Sequence, residues 1–353
     1  LLMLLIIIII KFNQSLNIVR TLNIKENFEI NNITVQSPKL ASTINFINID
    51  DGCNILKSSK YFSNLNKQDK IKRNLSNKNT KQILSYYCQN ILEFSQSEKE
   101  VVNWLVNLII THPNLESQEI IMGNWNFIKV QKIENNFPHT HKNAIVMPSN
   151  IINIVIDLHK QFKNIDKSKI NLNHIDSYQL KDIITLMIHE KVHIHQRINP
   201  DFYSKLYKDW NFKKTNIKDF NRYVNNSRSN PDGDLNNWVI KLKDEYLTLI
   251  ALYNQDSNNI SSVDYLGIYL EPLYSDTYDY QVFIDKSGKV MKKKLLDIKE
   301  FETFFNINNN HYHPNEISAE LISHYYVSEM GYNLDIDNHS PAMTLVKNNI
   351  SQL

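Results

Sequence analysis

The sequence is short of the residues that punctuate or cross-link a chain. Of 353 residues only 6 are Gly, 9 are Pro and 2 are Cys, which excludes collagen-like, Gly/Pro-rich low-complexity and disulfide-framework architectures. Cys53 and Cys88 are too few for a cysteine-held zinc site, and they admit either one bridge or two buried free thiols. Neither sign of charge is in excess. Lys and Arg total 39 against 37 Asp and Glu, a net charge of +2, so there is no broad electrostatic footprint for nucleic acid and no nucleic-acid partner is expected. The apolar run Leu1 to Ile10 ends at Lys11, far short of the approximately 20 residues that span a bilayer. No basic segment precedes it and no clean small-residue cleavage site follows it. It reads as a buried strand or as a segment whose true start lies upstream. A membrane is expected only if residues 1–10 anchor the chain; secretion remains the alternative to a soluble intracellular protein.

Hydrophobic residues make up 42% and charged residues 22%, as in soluble globular proteins. The length suits one large domain or two ordinary ones. Asn, Ile and Lys are abundant in the manner of an AT-rich genome, so triplets such as Asn32-Ile33-Thr34 and Asn225-Asn226-Ser227 carry little weight as glycosylation signals.

Residues 11–80 are polar and weakly periodic, and irregular or loosely packed structure is expected there. Apolar residues recur at helical spacing from Gln82 to Phe94, and Ser97-Glu98-Lys99-Glu100 reads as a capping box opening a helix that runs up to Pro113. Short apolar runs between Glu119 and Pro148 predict a small mixed sheet. A helix capped at Asp176 follows, with Leu180, Ile183, Ile184, Met187, Ile188 and Val192 on one face and Pro200 limiting its end. Residues 201–310 read as aromatic-rich helical stretches with Asn/Ser-rich loops at Asn225 to Asn237 and Asn254 to Ser262. A last helix runs from Pro314 to Gly331.

Chemistry concentrates on the helix after Asp176. His189-Glu190-Lys191-Val192-His193 is an H-E-x-x-H motif, of which chance supplies on the order of 0.02 in a chain of this composition. Two histidines four residues apart share a helix face, so both imidazoles can reach one zinc ion while Glu190 lies beside the open coordination position. His195 points off that face. The spacing that would add a third histidine at position 199 and a glycine at 196 is absent, because Asn199 and Gln196 stand there. On the last helix Glu316 and Glu320 also share a face, so one can bind metal while the other orients a ligating histidine.

This pair of motifs resembles that of gluzincins, including thermolysin-like and anthrax-lethal-factor-like peptidases, in which a downstream helix supplies Glu in an E-x-x-x-D/E pattern. The resemblance implies His189, His193 and Glu316 as zinc ligands and Glu320 as the partner behind them. It also implies an α+β, zincin-like catalytic domain over residues 81–353 behind an N-terminal segment over 1–80, with Pro138 to Val146 as an edge strand bordering the substrate cleft. The activity implied is hydrolysis of peptide bonds in a peptide or protein substrate, with Zn2+ as cofactor and Glu190 as general base. Tyr312, His324, Tyr325 and Tyr274 are candidates to stabilise the transition state. Asn230-Pro231-Asp232-Gly233 reads as an ordinary turn, with a loop lining the cleft as the second reading because it falls between the two motif helices, and His139 and His141 read as residues of a surface strand, with metal binding as the second reading. Two alternatives stay open: a catalytically inactive binding or structural protein, and hydrolysis of a non-peptide amide or ester.

Overall fold

In the computed structural model, residues 42–353 are described except 116–117, 166–177, 233–237, 255, 258, 275, 308–311 and 333–338. The expected cap at Asp176 and the apolar run at residues 1–10 lie outside them. From Leu40 to Leu353 the chain forms one unit of mixed α and β structure.

Its first half is a sheet between two helical layers. Strand β1 (Thr43–Phe46) is followed by helices α1 (Ile49–Lys57), α2 (Tyr61–Asn64), α3 (Lys67–Lys72) and α4 (Thr80–Gln89), then by β2 (Ile91–Leu92) and α5 (Gln96–Ile110). Residues 42–80 are therefore not irregular. The side chains of Asn48, Asn66 and Asn79 accept from backbone N–H groups in the first turns of α1, α3 and α4, satisfying donors that a helix leaves open. Cys53 on α1 and Cys88 on α4 form a disulfide, which decides between the two expectations for these cysteines. The capping box of α5 is Ser95 with Glu98, two residues earlier than the sequence suggested.

Strands β3 (Asn124–Val130), β4 (His139–His141) and β5 (Ala144–Pro148) complete a five-stranded sheet in the order β1-β3-β5-β4, with β2 beside β3. Successive residues face opposite layers, as the pleat requires. Trp125, Phe127, Ile145 and Met147 enter the main core, while Ile128, Val130, Ala144 and Val146 meet the helices before residue 90. β4 is an edge strand paired antiparallel to β5. The segment Pro138 to Val146 is thus a hairpin, and only its first arm is the edge.

Helices α6 (Ser149–Phe162), α7 (Tyr178–Ile198) and α8 (Pro200–Asp209) come next. All six apolar positions predicted for the face of α7 are buried. The region expected to be helical from 201 onward instead builds a second sheet: β6 (Phe212–Lys214), β7 (Ile217–Lys218), β8 (Trp238–Leu242), β9 (Glu245–Tyr253), β10 (Val263–Pro272), β11 (Tyr280–Val282) and β12 (Lys292–Lys294), with the short helix α9 (Phe220–Tyr223) between β7 and β8. Its order is β6-β8-β9-β10-β11-β7, with β12 on β10. Helices α10 (Lys299–Phe305), α11 (Pro314–Glu329) and α12 (Pro341–Ile350) close the chain. Pro314 occupies the first turn of α11, and Gly331 follows its end at φ 86°, a left-handed conformation that favours glycine. α7 packs closely against α11, and this pairing brings the two sequence motifs together.

Candidate metal centre

His189 and His193 sit one turn apart on α7, and their Nε2 atoms approach to 3.1 Å. Glu316 on α11 faces both, with Oε2 3.6 Å from His189 Nε2 and Oε1 3.4 Å from His193 Nε2. The three side chains are buried and form a group that could hold a metal ion. The far sides of the imidazoles are also occupied. His193 Nδ1 lies 2.9 Å from Gln196 Oε1, and Gln196 Nε2 donates to Asn315 O at 2.8 Å and Ser318 Oγ at 2.9 Å. A backbone carbonyl only accepts, so the Gln196 amide has one orientation and its Oε1 takes the proton on His193 Nδ1. That leaves the His193 Nε2 lone pair facing His189 and Glu316.

Glu320 Oε2 stands 3.5 Å from His189 Nδ1 and plays the matching part for that ring. Burial opposes a charge on His189, but Glu316 and Glu320 overcome it and raise its pKa. Two ring nitrogens and a carboxylate facing one place form a donor set that fits a divalent cation with nitrogen and oxygen ligands, the cation taking the place of the proton on His189. The predicted ligands and their outer partner are thus brought together.

Glu190 is 3% exposed, and among the described residues its Oε2 has no hydrogen-bond partner. Burial, reinforced by the Asp232 carboxylate, holds its carboxyl well above the usual range. It lines a cleft of about 640 Å³ together with His189, His193, Glu316, Glu320, His324 and His139, a size that suits a small ligand or a few peptide residues.

The segment Asn230 to Asp232, expected as an ordinary turn, forms part of the cleft wall. Asn230 Nδ2 donates to Glu316 Oε1 at 2.7 Å and to the Tyr312 hydroxyl at 2.5 Å. Asp232 Oδ1 accepts from Thr140 N at 2.9 Å and Arg197 Nη2 at 3.2 Å, and it also bonds the Thr140 hydroxyl. Burial opposes ionisation of Asp232, yet His193, Arg197 and Thr140 hold its pKa down to about 2. This loop is anchored from the N-terminal helices: Asn66 Nδ2 donates to Ser227 O at 2.7 Å, and Asp69 takes Ser229 N at 3.0 Å and Ser229 Oγ at 2.6 Å.

No protein-family model, curated protein or solved structure matches this chain.

The candidates for transition-state stabilisation disperse. His324 Nε2 donates to Glu320 Oε1 at 3.1 Å and so braces the residue behind His189, though it also lines the cleft. Tyr312 is 3% exposed and lies behind Asn230, outside the cleft lining. Tyr274 is fully exposed, and Tyr325 packs at the edge of the main core. His195 bonds Tyr203 and Asn199, away from the group formed by His189, His193 and Glu316.

His139 and His141 are not surface residues, being 3% and 1% exposed. β4 is an edge strand, but the helices before residue 90 cover it: His141 contacts Ser59, Tyr61 and Phe62. Burial first, then neighbouring His139, pushes the His141 pKa down to about 3, so its ring is neutral. The sequence pointed to neither Gln196 nor Thr140 as a site residue, and for Asn230 and Asp232 it ranked the cleft-lining loop second to a turn. Of the first two, only Gln196 carried a local signal, its position three residues after His193 on the same helix.

Proposed function

We propose that this chain is a zinc-dependent peptidase. The observation that carries the proposal is the partnerless Oε2 of Glu190, next in sequence to His189 and in the same cleft as the histidine and glutamate group. An ionisable group buried without a partner costs stability, and a purely structural metal site has no use for a carboxylate there. His189, His193 and Glu316 would hold the zinc, with Gln196 and Glu320 fixing the ring orientations. When bound, zinc supplies Lewis acidity for a carbonyl oxygen and lowers the pKa of a water.

The chain's own part follows from placement. With a cation held by the three ligands, the negative form of Glu190 would be favoured against its burial, and the carboxylate would take the proton of the attacking water and pass it to the leaving amine. Asn230, which also bonds the Tyr312 hydroxyl, holds Glu316 from behind. His139 donates Nδ1–H to Phe137 O at 3.1 Å and lines the same cleft.

The experiment is cleavage of an unbiased peptide library by zinc-loaded protein. Glu190→Gln should keep one zinc per chain and lose hydrolysis by roughly 10²–10⁴-fold, the range for removal of general acid-base catalysis. Parent-level cleavage by Glu190→Gln refutes the mechanism.

A further inference from the structure

Arg228 lines the same cleft, and nothing in the metal centre uses it. Its backbone is fixed: Arg228 N donates to Ala251 O at 2.8 Å, and Ser227 bridges Leu252 on β9. Its guanidinium carbon lies 5.6 Å from the centroid of the Tyr312 ring. Tyr312 in turn stacks on Tyr265 at 5.6 Å with planes 15° apart. An aromatic platform of this kind holds a cation without consuming its N–H groups. Among the described residues the guanidinium makes no ion pair and no hydrogen bond, although it is half-buried. Glu316 is nearby, but its oxygens face Asn230 and the two ligating histidines.

A guanidinium has five donors in a planar fork and no acceptor, and its best geometric match is a carboxylate. A cation partly withdrawn from water is costly until such a group meets it. Asn230 touches both Tyr312 and Glu316, so one ring and one amide separate Arg228 from a metal ligand. An extended peptide advances only roughly 3.3–3.6 Å per residue, which places any carboxylate bound here close in sequence to the bond at the metal.

We propose that Arg228 is a substrate-carboxylate site, binding a carboxylate supplied by a free C-terminus or by an acidic side chain within a residue or two of the scissile bond. The proposal rests on the peptidase reading and narrows its substrate class. A C-terminal source makes the chain a carboxypeptidase or dipeptidyl carboxypeptidase. A side-chain source makes it an endopeptidase selective for acidic residues.

Three probes with a metal-directed thiol separate the cases: mercaptoacetyl-leucyl-alanine with a free carboxyl, the same compound as its amide, and mercaptoacetyl-leucyl-glutamate amidated at its C-terminus. Calorimetry on the full zinc-loaded chain should show at least one carboxylate probe binding roughly 10–100-fold more tightly than the neutral amide. Arg228→Gln should abolish that preference and leave the affinity for the neutral amide within about twofold, since the amide offers the fork no charge. Arg228→Lys keeps the charge without the fork and should fall between, which also keeps the test readable if the Gln variant folds poorly. Preference for the free acid assigns the C-terminus, and preference for the glutamate probe assigns a side chain. Equal binding of all three probes, binding of none, or a preference that survives Arg228→Gln overturns the proposal. The readout is binding, so a chain that selects an acid through Arg228 yet cleaves no peptide sinks the peptidase reading and leaves the carboxylate site in place.

Discussion

Arg73→Met tests whether the helices before residue 80 hold the cleft wall in place. The Arg73 side chain is 4% exposed and pairs with Asp69 Oδ1 and Glu134 Oε2 at 3.0 Å each. It also donates to the Tyr253 and Tyr61 hydroxyls at 2.7 Å and to Ser229 O at 3.2 Å. Methionine replaces the apolar stem but leaves two buried carboxylates without their cation. Breaking a buried pair from one side costs about 3–5 kcal/mol, against about 0–1 for an exposed pair. A domain of ordinary stability, about 5–15 kcal/mol, would lose a large part of it. Urea denaturation followed by tryptophan fluorescence should show the midpoint fall accordingly. Adding Glu134→Gln and Asp69→Asn should recover part of the loss, because the uncompensated charges go with them. Ser229 adjoins Asn230, so zinc affinity should weaken as well, by up to about tenfold, at the low end for loss of outer support. A loss below about 1 kcal/mol would refute the reasoning, since that is the value of a solvated pair.

The acid limb of stability has a specific source. Burial would raise the pKa of Glu134, but Arg73 and then His139 hold it at about 2 against 4.5. A depressed folded value means the contribution is complete above pH 4.5 and is lost as pH falls toward 2, on the order of 3 kcal/mol for that difference. Glu134→Gln should flatten the stability curve across this window, and a curve parallel to the parent's would contradict the assignment. Gln196→Leu removes the acceptor for His193 Nδ1–H and should weaken zinc binding by roughly 10–100-fold in competition with a chromophoric chelator; unchanged affinity would show that the ring is oriented by something else. Replacing Cys53 and Cys88 together by Ser opens a bridge between positions 35 residues apart and should cost roughly 3–4 kcal/mol in thermal unfolding. A melting curve unaffected by the double change would argue against the bridge.

The group of candidate ligands was legible because a shared metal would impose a fixed spacing on a helix. His189 with His193, and Glu316 with Glu320, are each four apart and share a face whatever else the fold does. Their meeting across 123 residues (316 minus 193) depends on α7 packing against α11, which the apolar stripe of α7 suggested but did not specify. The cleft wall was legible only as the second reading of the loop between the two motif helices. Asn230, Pro231 and Asp232 are the residue types of any surface turn, and their partners Glu316, Thr140 and Arg197 are distant in sequence.

Residues 42–80 looked irregular because Asn was discounted as compositional bias, yet Asn48, Asn66 and Asn79 supply the helix caps. The second sheet was hidden for another reason. In β9, Leu247, Thr248, Leu249, Ile250 and Ala251 are all buried, so the strand shows no alternation and resembles a buried helix by pattern alone.

The central claim is that one zinc ion is bound by residues from both motif helices. Anomalous scattering at the zinc edge, from crystals of the zinc-loaded chain, measures this directly. The account predicts one strong peak roughly 2.0–2.2 Å from His189 Nε2, His193 Nε2 and a Glu316 carboxylate oxygen. The absence of a peak between α7 and α11, or a peak bound by other residues, would contradict it.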